Sequence, residues 1–393
     1  MISYNKTWLD NLRLQGLLKK DLAAGKITPA EFAAITEKYP VGFYTPNLLT
    51  RIGLFVLTCI IVFFTDGLLS LTVSSSNIIG NFGWFLFLGL ISYIALELIV
   101  NLKNHYRSGV DDALLITSGG LFMIALYILL DKNSSGSHSL RIAEIIFIVS
   151  LGLSLRFADM LAGAVCTASF FAFILYAWTG IGAAGITSAP FVMMLVSAIV
   201  YWLTVAGKKQ PGFVNYTNCL VVAQVGALVT LYAAGNYYVV QILGNELKGI
   251  TDPGNTPLPF GAFFWAWTLL IPFIYTGSGI LKKDRILLRT GLILIAAAAV
   301  TFRNYYHILP ADLELTIIGA IILGIVYGLI RYLKTPKHGF TYIETDKTNA
   351  ADEIKIESLV VAETFSHNPS APADGGTKFG GGDFGGGGSS SSF

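Results

Sequence analysis

Apolar runs of membrane-crossing length alternate with short polar breaks from Ile52 to Leu333. The first, IGLFVLTCIIVFFTDGLLSL over Ile52–Leu71, carries one charge in twenty residues. An α-helix of that length crosses about 30 Å of hydrocarbon. Ten such runs are read: Ile52–Leu71, Phe82–Val100, Ala113–Leu130, Leu140–Leu155 and Leu161–Trp178, then Phe191–Val205, Cys219–Tyr238, Phe260–Ile280, Leu287–Phe302 and Leu313–Leu333. The pattern predicts an all-α polytopic membrane protein.

Ahead of the runs the period is helical but the composition is polar. Trp8, Leu9, Leu12, Leu18 and Leu22 recur at helical spacing, and Gly25 is placed to end that helix. A second helix begins with an N-cap at Thr28, Pro29 at the first helical position and Glu31 closing a capping box. Ile27 and Phe32 fit the two positions of a hydrophobic staple. Pro40 stops the helix. The chain thus divides into a helical hairpin over residues 1–46, a bundle over 47–334 and a polar tail over 335–393. From about residue 366 the tail is rich in Pro, Gly and Ser, a composition expected to stay disordered.

Composition supports the same division. Only 13% of the 393 residues are charged and 54% are hydrophobic, against about 25% charged in soluble domains. A net charge of +2 with dispersed basic residues gives no reason to expect nucleic acid. Cys59, Cys166 and Cys219 have no metal-binding or disulfide spacing. No cleavable signal segment is expected, because the first apolar run is too long and too late.

Lys and Arg fix an expected direction. With the N-terminus inside, nineteen of the basic residues ahead of the tail fall in inner segments and four in outer loops, the bias that cytoplasmic loops carry. Both termini are therefore expected in the cytoplasm. Trp84, Trp178, Tyr237, Tyr238, Trp265, Tyr305 and Tyr306 fall near outer ends, where an interfacial aromatic belt belongs. The longest outer loop, Val239–Pro259, holds three prolines and reads as irregular.

The stretch LLKKDLAAGKITPAEFAAITEKYP, followed by many spans, resembles the bacterial predicted membrane proteins grouped as domain of unknown function 2157. The resemblance covers about a tenth of the chain, brings no functional residues with it, and implies a protein of the bacterial inner membrane. The tail, closing FGGGDFGGGGSSSSF, is similar to the glycine-rich ends of several other bacterial membrane proteins. Together these leave two function classes open. In one, the hairpin or tail recruits a cytoplasmic protein partner without catalysis. The alternative is a small-molecule or ion transporter.

Candidate chemistry is sparse, and neither a cofactor nor a metal is expected. GIGAAG (Gly180–Gly185) matches a dinucleotide motif literally but lies between two spans, with no preceding strand and no acid twenty residues on. TGSG (Thr276–Gly279) resembles the serine motif of intramembrane proteases. The five histidines all fall outside the spans, so a serine there has no base within reach. Its glycines are read as loosening the inner end of the eighth span.

Ionisable and amide groups at membrane depth are costly and point to function. Asp66 and Gln224 form the candidate intramembrane polar site. The competing reading ends the first helix at Asp66-Gly67 and leaves the acid at the interface. Glu97 and Glu144, within a turn of predicted ends, read as groups that snorkel or cap. Arg303, His307, Asp312 and Glu314 bracket a short outer loop as a candidate pH-sensitive cluster, with an ordinary interfacial ion pair as the favoured competing reading. Ala320, Gly324 and Gly328 repeat every four residues, a smooth face for close helix packing.

Overall fold

The computed structural model describes residues 2–74, 78–131, 137–249 and 258–305, together with Thr316, Ala320, Leu323, Gly324, Tyr327, Gly328 and Arg331. Among these residues the chain is helical, with no strand beyond an isolated bridge between Tyr44 and His105.

The hairpin forms as the sequence predicts. Helix α1 spans Lys6–Ala23 and α2 spans Pro29–Lys38. Gly25 turns the corner at φ +70°, with the Gly25 amide donating to Leu22 and the Lys26 amide to Asp21, the paired bonds of a Schellman stop. The capping box is complete, because Thr28 Oγ1 accepts from the Glu31 amide and Glu31 Oε2 from the Thr28 amide. Those bonds hold the Glu31 carboxyl below its usual range.

Ten helices follow. They are α3 Leu48–Thr72, α4 Phe82–Leu102, α5 Val110–Asp131, α6 His138–Phe157, α7 Met160–Thr179, α8 Ala183–Gly207, α9 Thr217–Ala233, α10 Tyr237–Leu247, α11 Gly261–Lys282 and α12 Arg285–Tyr305. Among the described residues, eight of the twelve are long and apolar enough to cross a membrane: α3, α4, α5, α7, α8, α9 with its leading 3₁₀ turn, α11 and α12. The protein is a multi-pass membrane protein. Helix α6, at 20 residues, lies outside that set and carries Arg141, Glu144 and Arg156 along its length. The tenth predicted run and the tail fall outside the described residues, apart from the seven single helical positions.

Four of the connections close tightly packed helix pairs on one end of the bundle. Pairs α4–α5, α6–α7, α8–α9 and α11–α12 turn at residues 103–109, 158–159, 208–216 and 283–284. The hairpin docks at this same end: the Tyr44 amide donates to Asn104, the Ser3 amide to Arg156, and the Arg13 guanidinium to Asn215 at 2.8 Å. This is the hairpin end, and the opposite one is the far end. Helix α5 packs on α3, α4 and α6, while α9 packs on α7, α8, α11 and α12, so the bundle has two centres joined through α6 and α7. Helix α3 is peripheral and buries none of its side chains; Phe63 is 75% exposed. A face that apolar is stable only against lipid.

Three departures from the sequence reading have physical causes. Helix α8 starts well before Phe191 and runs through Pro190, which a membrane helix tolerates when neighbours satisfy the freed carbonyl. Gly185 lies within this helix because a Cβ there would meet the Trp178 carbonyl oxygen at 2.2 Å. The seventh predicted run breaks at Ala234–Asn236, and Asn236 caps a new helix, α10, inside the loop expected to be irregular. Gly279 does not loosen α11. It lets the backbone of α12 approach, since a Cβ there would lie 2.6 Å from the Leu288 amide nitrogen.

Candidate functional site

Two polar assemblies stand out, one in each half. The first gathers at the hairpin end of α4, α5 and α6. Glu97, about a turn from the end of α4, takes a two-pronged bond from Arg156 in the last turn of α6, Nε to Oε1 at 2.7 Å and Nη2 to Oε2 at 2.9 Å. The Tyr93 hydroxyl donates to Oε1 at 3.0 Å, while Ser3 Oγ and Asn101 Nδ2 donate to Oε2 at 2.9 and 2.8 Å. One carboxylate therefore clamps two membrane helices and the start of the chain. Such charge-assisted, bidentate bonds are the strong ones.

Beside it, Asp111 at the start of α5 is buried. It accepts from the amides of Arg107 and Ser108 at 2.7 and 2.8 Å and from Ser108 Oγ at 2.9 Å. The Tyr4 hydroxyl approaches it at 3.5 Å. Tyr4 is wedged among Leu96, Val100, Leu114 and Phe157; burial above all, then the charge of Asp111, pushes its phenol far above the ordinary value. Arg51 at the start of α3 reaches Asp112 with Nε and Nη2 at 3.0 and 2.6 Å. His105 Nδ1 lies 2.7 Å from Ser108 Oγ, and burial lowers its affinity for a proton, with Asp111 opposing.

The second assembly follows one face of α9. Gln224, Leu228, Tyr232 and Asn236 recur every four residues, and all four are almost wholly buried. Residues so spaced share a helix face, and Gln224 to Tyr232 covers about 12 Å of it. At the hairpin end Lys208 folds back to donate to Gln224. Burial depresses the Lys208 proton affinity and Asp284 partly restores it. Midway, the Tyr275 hydroxyl donates to the Leu228 carbonyl at 3.4 Å. At the far end Asn236 Nδ2 donates to the Tyr232 hydroxyl and to Thr301 Oγ1, both at 2.9 Å. The Tyr237 amide donates to Thr268 Oγ1 at 2.9 Å, and Tyr305 meets Gln241. The line is neutral apart from its Lys208 end, and its groups bond one another across α9, α11 and α12.

Comparison with family models, with curated proteins and with solved structures returned no match.

The sequence-predicted residues separate accordingly. Gln224 is buried and bonded. Asp66 lies in the other half, half-buried on peripheral α3, and the two do not meet. Helix α3 runs on to Thr72, so it does not end at Asp66-Gly67. Arg303 is half-buried on α12, while His307, Asp312 and Glu314 lie outside the described residues. Ala320, Gly324 and Gly328 are exposed, and nothing described lies within 4 Å of a Cβ at either glycine. Glu144 is exposed, but Glu97 is the centre of the first assembly rather than a snorkelling end group. Its signal was the spacing Tyr93, Glu97, Asn101, one polar group per turn on an apolar helix. The partner, Arg156, stood in the chain as a lone inner-loop cation.

Proposed function

We propose that this chain is a non-enzymatic protein of the bacterial inner membrane, with both termini cytoplasmic, that recruits a water-soluble protein through its helical hairpin. The observation carrying this reading is the contrast between the two hairpin helices. The segment leading into α1 is clamped by Glu97, Arg156 and Asp111, and Leu9 joins the bundle core, whereas α2 buries none of its residues. A partner on α2 would thus be held by a part fixed to α4, α5 and α6. The distribution of Lys and Arg supports the orientation. Ala30, Ala33 and Ala34 form an exposed face of small side chains on α2, bordered by exposed Glu37 and suited to close approach by a partner helix.

Because residues 3–9 are built into the bundle, substitution on α2 tests the reading better than removing the hairpin. A photo-crosslinking residue at Ala34 should give one discrete adduct in cells, abolished by Glu37→Arg while membrane insertion is unchanged. An adduct indifferent to Glu37→Arg, or no adduct, would sink the proposal.

A second reading, a small-molecule or ion transporter, is favoured by the polar face of α9 with the Lys208 ammonium folded onto Gln224. Uptake into proteoliposomes that survives Gln224→Leu unchanged would remove that face from any such path.

A further inference from the structure

At the far end, α7, α8, α9, α10 and the start of α11 line a half-open cavity of about 200 Å³. Its walls include Leu175, Pro190, Met193, Val240, Leu247 and Phe264. Helix α10 roofs it with Val240, Leu243, Gly244 and Leu247, the spacing of one apolar helix face. An apolar cavity of about 150 Å³ already stays dry and takes up an apolar guest, so this one suits a run of methylenes better than water. Its polar surroundings are one-sided. Lys248, exposed, is the charged residue in the lining among the described residues. Asn245 Nδ2, between Gly244 and Lys248 on α10, is buried with no acceptor among the described residues. The indole Nε1 of Trp267 is likewise buried without a partner, and the ring packs with Val240 and Phe264, which line the cavity. The Lys248 ammonium calls for a negatively charged partner. The exposed Phe260 ring packs edge-on against Phe191, with ring centroids 5.9 Å apart, and both line the cavity.

We infer that this cavity binds one acyl chain of an anionic glycerophospholipid, with Lys248 receiving the headgroup. Apolar volume, the Lys248 ammonium and position in a membrane-spanning bundle all select that occupant.

Gly244 supplies the test, since it lines the cavity and a Cβ there meets nothing within 4 Å. Gly244→Leu should therefore fill the space without disturbing the helix. Purified full-length protein in detergent would be titrated by native mass spectrometry with phosphatidylglycerol and with phosphatidylcholine of identical chains. Phosphatidylglycerol should bind more tightly, and Gly244→Leu should remove that preference-bearing adduct at unchanged melting temperature. Lys248→Glu should weaken phosphatidylglycerol binding about tenfold while sparing phosphatidylcholine. Equal binding of the two lipids overturns the proposal, as does a Gly244→Leu protein that keeps its phosphatidylglycerol. Palmitate that binds where phosphatidylglycerol does not would overturn it equally, assigning the cavity to free fatty acids.

Discussion

The half built around α5 and the half built around α9 solve the same problem differently. Around α5 the paired charges gather at the hairpin end: Glu97 with Arg156, Arg51 with Asp112. Around α9 the polar groups are mainly amides and hydroxyls that continue through the depth of the bundle from Gln224 to Asn236 and Thr301. The difference follows from the solvent. A charge in hydrocarbon costs several kcal/mol, whereas an amide or hydroxyl bonded to a neighbouring helix is tolerated and contributes about 0.6 kcal/mol on average. Ion pairs therefore serve where water is near and a soluble segment must be fastened. Neutral bonds serve where helices must be matched inside lipid.

Three measurements would break or sharpen that contrast. The largest effect should come from Glu97→Leu, which strands Arg156 and frees Ser3, Tyr93 and Asn101. With Arg156 partly exposed and screened, the loss should be about 2 kcal/mol in detergent unfolding, with new proteolysis ahead of α1. The double variant Glu97→Leu/Arg156→Leu should recover part of it; if it does not, the clamp is not electrostatic. Asn236→Leu should cost less, about 1 kcal/mol for a cap and an interhelical bond. A loss exceeding that of Glu97→Leu would reverse the ranking of the halves.

The smallest effect concerns His105. Burial lowers its folded pKa from the ordinary 6.5. Between that value and the lower folded one, the unfolded chain binds more protons, so stability falls as pH falls through the window. Unfolding followed at pH 7.5 and 5.5 should show this decline in the wild type and not in His105→Gln. An unchanged decline in the variant would place the responsible group elsewhere.

Much of the fold was legible because it depends on local signals. Thr28, Pro29, Glu31 and Gly25 mark the hairpin corner by chemistry alone, and nine of the ten apolar runs correspond to described helices. The break at Ala234–Asn236 was not legible. Hydropathy runs unbroken through it, and only the bonds of Asn236 to Tyr232, Thr301 and the Val239 amide show why the chain turns there. The Glu97 clamp was missed for a related reason. Its members come from residues 3, 93, 97, 101 and 156, and no periodicity links groups on three separate segments. Gln224 was found because it breaks an apolar run, but its partner Lys208 reads as an ordinary loop cation until the turn folds it inward.

The α6–α7 and α11–α12 pairs turn on the same two-residue corner. Ala158 and Lys283 each adopt a left-handed conformation, at φ 49° and 54°. The Asp that follows caps the next helix: Asp159 accepts from the Ala162 amide at 2.8 Å and Asp284 from the Ile286 amide at 2.9 Å. A corner this short leaves no slack. One added residue at position 284 would rotate all of α12 by about 100°, carrying Thr290 and Thr301 away from α9 and toward the hydrocarbon. The pairing of these helices is thus exact in register without any bond in their middles being asked to enforce it.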